Sequence, residues 1–502
     1  MDRRQFLRTT GIVAATGAAA SIAAGCDRAS ETCRGGHSYG GAAAKLAKNS
    51  FAATQVLVVG GGPAGVCAAI AAAREGAATM IVEASGCLGG MGTSGLVSPF
   101  MTCYDTTGEI QVIRGLFEEI VQRMVAIGGA INPAKVRATT PYSAWITAGH
   151  DHCTPFEAEA MKFVLDQMCA EAGVKVLLHA TFVDVMMKGD KVSGVTVLCK
   201  EGLQNIGADI VVDCTGDGDV AFRAGVPTVF GNPDTGGVQP CTLFFTINNV
   251  NSRKLEADVM AHLHEFRKVD GVSYRALHWR VAQAEAAGEW DIARKSVNIY
   301  KKVKDDEWAV NCTRISKLDA TQSEELSRGE VEGRRQVQEL MGFFHKYVPG
   351  CEKATLMSSG AYLGIRESRH IEGLHTLRAQ DLIDAKVPQD SILVASNSVD
   401  VHGKGGSSSA TEYTTVKGGR WYGVPYGCLV PKGVRGGLLV AGRCLSATSD
   451  AAGAVRVMPP VMAMGQAAGI AAALCVRNGW SPAEADTDLL RARLLERGAF
   501  LG

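Results

Sequence analysis

Gly60, Gly62 and Gly65 have the spacing Gly-x-Gly-x-x-Gly, and an acidic residue, Glu83, follows about 20 residues on. Each position has its own physical task. Gly60 turns the chain, Gly62 lets the backbone touch a pyrophosphate, and Gly65 lets a helix lie close on a strand. Pro63 and Ala64 open that helix, whose unpaired N–H groups and partial positive charge suit the same phosphates. The Glu83 carboxylate sits where an adenosine ribose hydroxyl is accepted. Glycines also occur in ordinary turns, and the pattern alone does not separate a nicotinamide dinucleotide from a flavin one.

The elements that must position these residues can be read around them. Val56 to Val59 is a short apolar run with the character of a buried parallel strand. An alanine-rich helix then runs to about Glu75, and a second strand, Thr79 to Val82, delivers Glu83 and Ala84. A second glycine-rich run, Gly89-Gly90-Met91-Gly92-Thr93-Ser94, follows directly. At the far end, Leu438 to Ala441 reads as another buried strand that turns at Gly442-Arg443. A helix of small residues closes that segment, with Gly465, Ala467, Ala468 and Gly469 on faces suited to close packing. Between the two ends, ADIVVDCTGDGDVAFRAG has the pattern of an inner strand ending in the turn Thr215-Gly216-Asp217.

Together with QPCTLFFTI, NCTRI and LGIRESRHIEG, these separated segments resemble the FAD-dependent oxidoreductase family, which includes the flavin domain of the heterodisulfide reductase A subunit; the likeness runs over roughly residues 54–500. It implies an α/β fold: a Rossmann-like, two-dinucleotide-fold FAD-binding domain assembled from separated segments, with an inserted α+β substrate or cap domain. The expected boundaries are 54–247 and 396–502 for the FAD-binding parts and 248–395 for the cap. FAD is the implied cofactor. Gly60, Gly62, Pro63, Ala64 and Gly65 would hold its pyrophosphate, Glu83 and Ala84 its ribose, and Gly89, Gly90, Met91 and Thr93 the isoalloxazine end. The main chain of Val183 would meet the adenine edge, and Thr215, Gly216, Gly442 and Arg443 would line the strand ends. Gly465, Ala467 and Ala468 belong to the last helix, whose positive end would face the pyrimidine edge of the ring. That helix includes an uncharged run, Val457 to Val476, long enough for a membrane span, but Pro459-Pro460 and its alanine and glycine content favour a buried helix.

Substrate chemistry is expected where cap and flavin meet. Arg366 could clamp a carboxylate or stabilise an oxyanion, as could Arg443; His402 or Tyr426 could exchange a proton as hydride moves to or from flavin N5. Arg366 and Arg369 could equally form a salt-bridge set with Glu367 and Glu372, and His402 has no partner evident in sequence. His150 and His152 flank Asp151 in a run that could line the pocket or bind metal; without a third ligand at recognisable spacing, the pattern favours a surface loop over a metal site. The Gly/Ser-rich stretch 402–419 is a candidate mobile lid.

The N-terminal sequence carries Arg3-Arg4-Gln5-Phe6-Leu7 before a mildly apolar stretch, the pattern of a twin-arginine export signal over residues 1–25. That translocase carries folded proteins, which suits a flavoprotein loaded where FAD is made. Ala23-Ala24-Gly25-Cys26 resembles a lipoprotein box, so Cys26 is a candidate lipid anchor at the outer face of a membrane or in the periplasm. Residues 26–53 read as a flexible tether. With 51 basic and 51 acidic residues, charge offers no case for nucleic acid. Fifteen cysteines occur without any C-x-x-C pair, so buried thiols are expected rather than an iron–sulfur ligand run. The expected function is hydride transfer between flavin and a small organic substrate, with electrons passed to or from an external carrier. The alternative is an electron-transfer subunit that serves a partner protein.

Overall fold

The computed structural model describes residues 49–147, 149–402 and 411–502. The twin-arginine stretch, Cys26 and most of the tether lie outside the described residues, as do 403–410 of the candidate lid. In chain order the elements that build the site are β1 (Thr54–Val59), α1 (Pro63–Arg74), β2 (Thr79–Val82), α2 (Leu116–Ala126), α3 (Ala158–Ala172), β3 (Lys175–Leu177), β4 (Thr181–Lys188), β5 (Lys191–Cys199) and β6 (Gly202–Asp213). The cap supplies β7 (Phe245–Asn248), β8 (Asn298–Lys301), β9 (Trp308–Asn311), α4 (Ser323–Tyr347) and β10 (Thr355–Ser359). The chain then forms β11 (Val399–His402), β12 (Thr411–Thr414), β13 (Leu438–Val440), α5 (Ser449–Val455), α6 (Met458–Asn478) and α7 (Thr487–Glu496).

A parallel sheet of order β3-β2-β1-β6-β13 forms the centre. Its strands are apolar on both faces because α1, α3 and α6 cover one side and the β4–β5 hairpin with the first half of β6 packs on the other, which is why the sequence shows continuous apolar runs rather than alternation. β6 belongs to two pairings. Its first half pairs antiparallel with β5, and its last residues, through Asp213, lie between β1 and β13. The expected hairpin is β4 and β5; a register shift between Phe182 and Asp184 leaves Val183 at a bulge, exposed. The end of the expected tether is not free, because Asn49 and Ser50 pair in parallel with β6.

α6 is the one described helix long and apolar enough to cross a membrane, yet it lies inside the core against α1. A Cβ on Gly465 would fall 2.1 Å from the Ala64 carbonyl oxygen, and one on Gly469 would fall 2.1 Å from that of Ala68. The small residues therefore serve backbone-to-backbone packing. This corrects the cofactor role expected for Gly465, Ala467 and Ala468, which are buried within α6 well past its first turn. Substituting Gly469→Ala should lower stability by about 2 kcal/mol through overpacking, although alanine is the better intrinsic helix former. A thermal midpoint equal to or above wild type would show that the contact is not tight.

The cap has its own core, spanning Cys241 to Leu363, around the antiparallel sheet β8-β9-β7-β10 and the amphipathic α4. Both expected boundaries move. β7, placed in the first FAD-binding part by its apolar run, pairs on one edge with β9 and on the other with β10. At the other end, Arg369–Ile371 already pairs with Thr228–Phe230, and Ile371 N–H donates to the Cys444 carbonyl at 3.0 Å. The chain thus returns to the FAD-binding domain before residue 395. Every described cysteine is a free thiol, and Cys67, Cys169, Cys214, Cys444 and Cys475 are buried in core elements.

Candidate functional site

The nucleotide fingerprint folds as its glycines require. Gly60 adopts φ +101°, and a Cβ there would fall 2.4 Å from the Cys214 carbonyl oxygen; one on Gly65 would fall 1.8 Å from that of Gly60. Gly62 differs. A Cβ on it would meet nothing within 4 Å, and no side chain caps α1, so the first-turn amides face open space. That is the room and the donor set a pyrophosphate needs. Glu83 Oε2 accepts from Gly61 N–H at 2.6 Å and Oε1 from Ser85 N–H at 2.7 Å, which fixes the carboxylate beside the cradle, with Ala84 exposed next to it. The second loop closes on the same point, since Gly89 N–H donates to the Gly61 carbonyl and a Cβ on Gly90 would lie 2.9 Å from Gly62 Cα.

The turn after β6 is held by Asp213, a residue that no motif in the sequence marks. Oδ1 accepts from the Thr215 N–H and hydroxyl, and Oδ2 from Ala221 N–H. Burial pushes its pKa up to about 6 against these donors. Thr215-Gly216 and Gly442 therefore sit with Gly60 at the carboxyl ends of adjacent parallel strands, where such sheets bind ligands. These residues fit FAD. Thr93 does not face the open side; it is buried and its hydroxyl donates to the Leu88 carbonyl at 2.7 Å.

Beyond this edge lies a cavity of about 240 Å³ bounded by both layers. Met91, Val457 and Met458 line it from the FAD-binding side, the last two at the N-terminus of α6, while Arg294, Tyr300 and Asn311 line it from the cap. Arg366 and His402 also reach it. The salt-bridge alternative for Arg366 does not form: Nη1 donates to the Pro240 carbonyl at 2.6 Å and to Thr242 Oγ1 at 2.7 Å. Glu367 is engaged elsewhere, accepting from Gln239 N–H and lying 3.6 Å from His370. Arg369 is the structural member of the pair, with Asp219 at 2.8 Å and the Phe222 ring beneath it.

His402 has a partner that the sequence held at a strand's two-residue period. Asp400, on the same face of β11, places Oδ2 3.2 Å from His402 Nε2. Burial and the nearby Arg366 pull the His402 pKa down to about 3, although Asp400 opposes them. The ring is therefore neutral at neutral pH and donates from Nε2 to Asp400. Burial works against ionised Asp400, but His402, Arg456 and Arg366 outweigh it and hold the carboxyl low. Gly453 of α5 allows this approach, since a Cβ there would fall 2.5 Å from the Asp400 carbonyl oxygen.

Two expected catalytic residues are placed elsewhere. Tyr426 is buried and its hydroxyl donates to the Pro482 carbonyl at 2.9 Å, away from the cavity lining. Arg443 is committed to Asp217 and Ser368, each at 2.8 Å, beside Gly216. It belongs to the strand-end wall rather than to the substrate cavity. The expected surface loop of His150 and His152 is also corrected, as both are buried. His150 lines the cavity with its Nε2 3.3 Å from Tyr300 Oη, and His152 stacks on Tyr104. Arg294 and Arg456, both cavity residues, were missed because DIARKS and AVRVMPP carry no spacing that marks them.

The FAD-dependent oxidoreductase family model matches residues 55–494. No curated protein matches the chain in sequence. Among solved structures, the chain is similar to a geranylgeranyl bacteriochlorophyll reductase-like protein from Thermoplasma acidophilum, at 15% identity and TM-score 0.41, over 89% of this chain and 85% of that one. It is similar to p-nitrophenol 4-monooxygenase from Pseudomonas putida at 13% identity and TM-score 0.44, over 89% and 85%. L-proline dehydrogenase from P. horikoshii is similar at 12% identity and TM-score 0.41, over 89% and 99%. These likenesses are remote; the sequence match, which covers the open cradle at Gly62 and the strand ends around it, shows that this chain belongs to the FAD-dependent oxidoreductase family.

Proposed function

We propose that the protein oxidises or reduces a small organic molecule held in the cavity between cap and FAD-binding domain, and exchanges the electrons with an external carrier. The observation that carries this reading is the cavity itself, whose walls come from both layers and which holds a half-buried Asp400–His402 pair beside Arg366. FAD supplies the acceptor or donor of a hydride, that is, one hydrogen with two electrons. In the oxidising direction His402 takes the accompanying proton, Asp400 orients its ring, and Arg366 stabilises negative charge on the substrate. The cap excludes water. A relay serving a partner protein, the alternative, has no use for such a cavity between cap and FAD-binding domain.

Anaerobic mixing of the holoprotein with hydroxy acids, sugars, enoates and quinols tests this reading. Bleaching or recovery of the flavin band by one member supports it, and inertness to all combined with reduction by a protein partner would favour the relay.

We further propose export by the twin-arginine translocase, with Cys26 as the lipid anchor, supported by Arg3-Arg4-Gln5-Phe6-Leu7 and Ala23-Ala24-Gly25-Cys26. Exchanging Arg3→Lys and Arg4→Lys keeps the charge but removes the guanidinium pair, and the protein should accumulate in the cytoplasm. Unchanged export of the double variant would exclude the route. Cys26→Ser should free the mature protein from membranes.

A further inference from the structure

We infer that the substrate is a small dicarboxylate, gripped by Arg294 from the cap and by Arg456 from the FAD-binding side of the cavity, with Arg366 where the two meet. The inference rests on the hydride-transfer reading above and deepens it.

The cavity holds more positive charge than its own acids balance. Among the described lining residues, Arg275, Arg294, Arg366 and Arg456 carry guanidinium groups and Asp400 carries the carboxylate. Four guanidinium groups thus face one lining carboxylate. The imbalance reaches the atoms. Arg294 Nε and Nη2 and Arg456 Nε are buried without a hydrogen-bond partner, and Arg366 donates only to neutral oxygens. Arg456 Nη2 likewise donates to a neutral amide oxygen, that of Gln239, at 3.1 Å. Lys295, also in the lining, is already paired with Glu285 at 2.5 Å.

Buried guanidinium donors left unpaired are costly, and a protein retains them where something else supplies the acceptors. Here the missing acceptors are anionic, and the unpartnered donors belong to two separate arginines, Arg294 and Arg456. They fall on both walls, with Arg294 in the cap and Arg456 at the end of α5 in the other layer, while Arg366 is anchored to Pro240 and Thr242 between them, so one compact anion would satisfy one side only. A molecule with a carboxylate at each end answers both walls, and the planar fork of arginine matches carboxylate geometry. Binding would also neutralise the arginines that depress His402, which makes its ring a better proton acceptor when substrate is present.

The test uses oxidised holoprotein, with succinate, glutarate and adipate as probes, their diamides as neutral isosteres, and inorganic phosphate as a compact anion. Binding is followed by calorimetry and by perturbation of the flavin band, and redox turnover is followed separately. We expect a dicarboxylate to bind in a salt-sensitive manner and its diamide not to bind. Arg294→Gln should weaken that binding by about 30-fold or more. FAD occupancy should be unchanged and the thermal midpoint equal or higher, because an uncompensated cation has been removed. Arg456→Gln is the second variant should the first fail to fold. Equal binding of diamides, binding of phosphate alone, or an Arg294→Gln protein that loses stability but keeps its affinity would each overturn the assignment. Dicarboxylate binding without redox change by any acid would leave the anion site standing and remove hydride transfer. Flavin reduction by a neutral substrate, insensitive to both substitutions, would do the reverse.

Discussion

A Gly62→Val protein is expected to fold, to purify colourless and to retain no FAD. The neighbouring glycines cannot give so clean a result, because Gly60 sits at φ +101° and a Cβ on Gly65 would fall 1.8 Å from the Gly60 carbonyl oxygen. Substitution at either damages the strand–helix junction itself. At Gly62 the backbone is extended, at φ −68° and ψ −176°, a conformation open to any residue and favoured before proline. A Cβ meets no protein atom. The branched side chain therefore intrudes only into the space that the pyrophosphate must enter. Flavin absorbance per protein should fall to background while the thermal midpoint stays near that of wild-type apoprotein. Stoichiometric flavin in the variant would show that the pyrophosphate lies elsewhere.

The second large effect is expected at Arg366. Arg366→Lys keeps a positive charge but removes the planar fork, and turnover should fall by a factor of about 10² or more. Stability should change little, because the guanidinium is bonded to a carbonyl and a hydroxyl and takes part in no ion pair with Glu367 or Glu372. Flavin occupancy, thermal midpoint and flavin reduction rate measured on one preparation separate the alternatives. Normal reduction at full occupancy would remove Arg366 from the catalytic list.

The cofactor half of the site was largely legible in the sequence because it depends on local backbone constraints. A left-handed turn at Gly60, an open Gly62 and a packed Gly65 need glycine whatever the rest of the chain does, and β1 with α1 is built within a few residues. The same reasoning overreached at Gly465, where small residues of the right kind serve helix packing instead. Small side chains mark close approach, not what approaches. The substrate half was less legible because it is assembled from distant segments. Arg294, Asp400 and Arg456 meet only when the cap sheet is placed over β11 and α5, and nothing near each residue announces that meeting. Asp400 was within reach, since Asp-x-His on a strand puts both side chains on one face. Tyr426 was misassigned for the opposite reason. A tyrosine in a turn near the returning strand looks available, but burial and the Pro482 carbonyl engage its hydroxyl.

β6 runs without interruption from the hairpin that carries Val183 to the Asp213 turn beside the cofactor cradle. One piece of backbone thus acts as a ruler between the proposed adenine contact and the strand-end wall. Its graduations are coarse. A single inserted residue would turn Asp213 to the opposite face, and an inserted pair would restore the face but displace the turn by about 7 Å. Length variation among natural or engineered forms of this chain should therefore be absorbed in the cap and the surface loops, while the interval between Gly202 and Asp213 stays fixed.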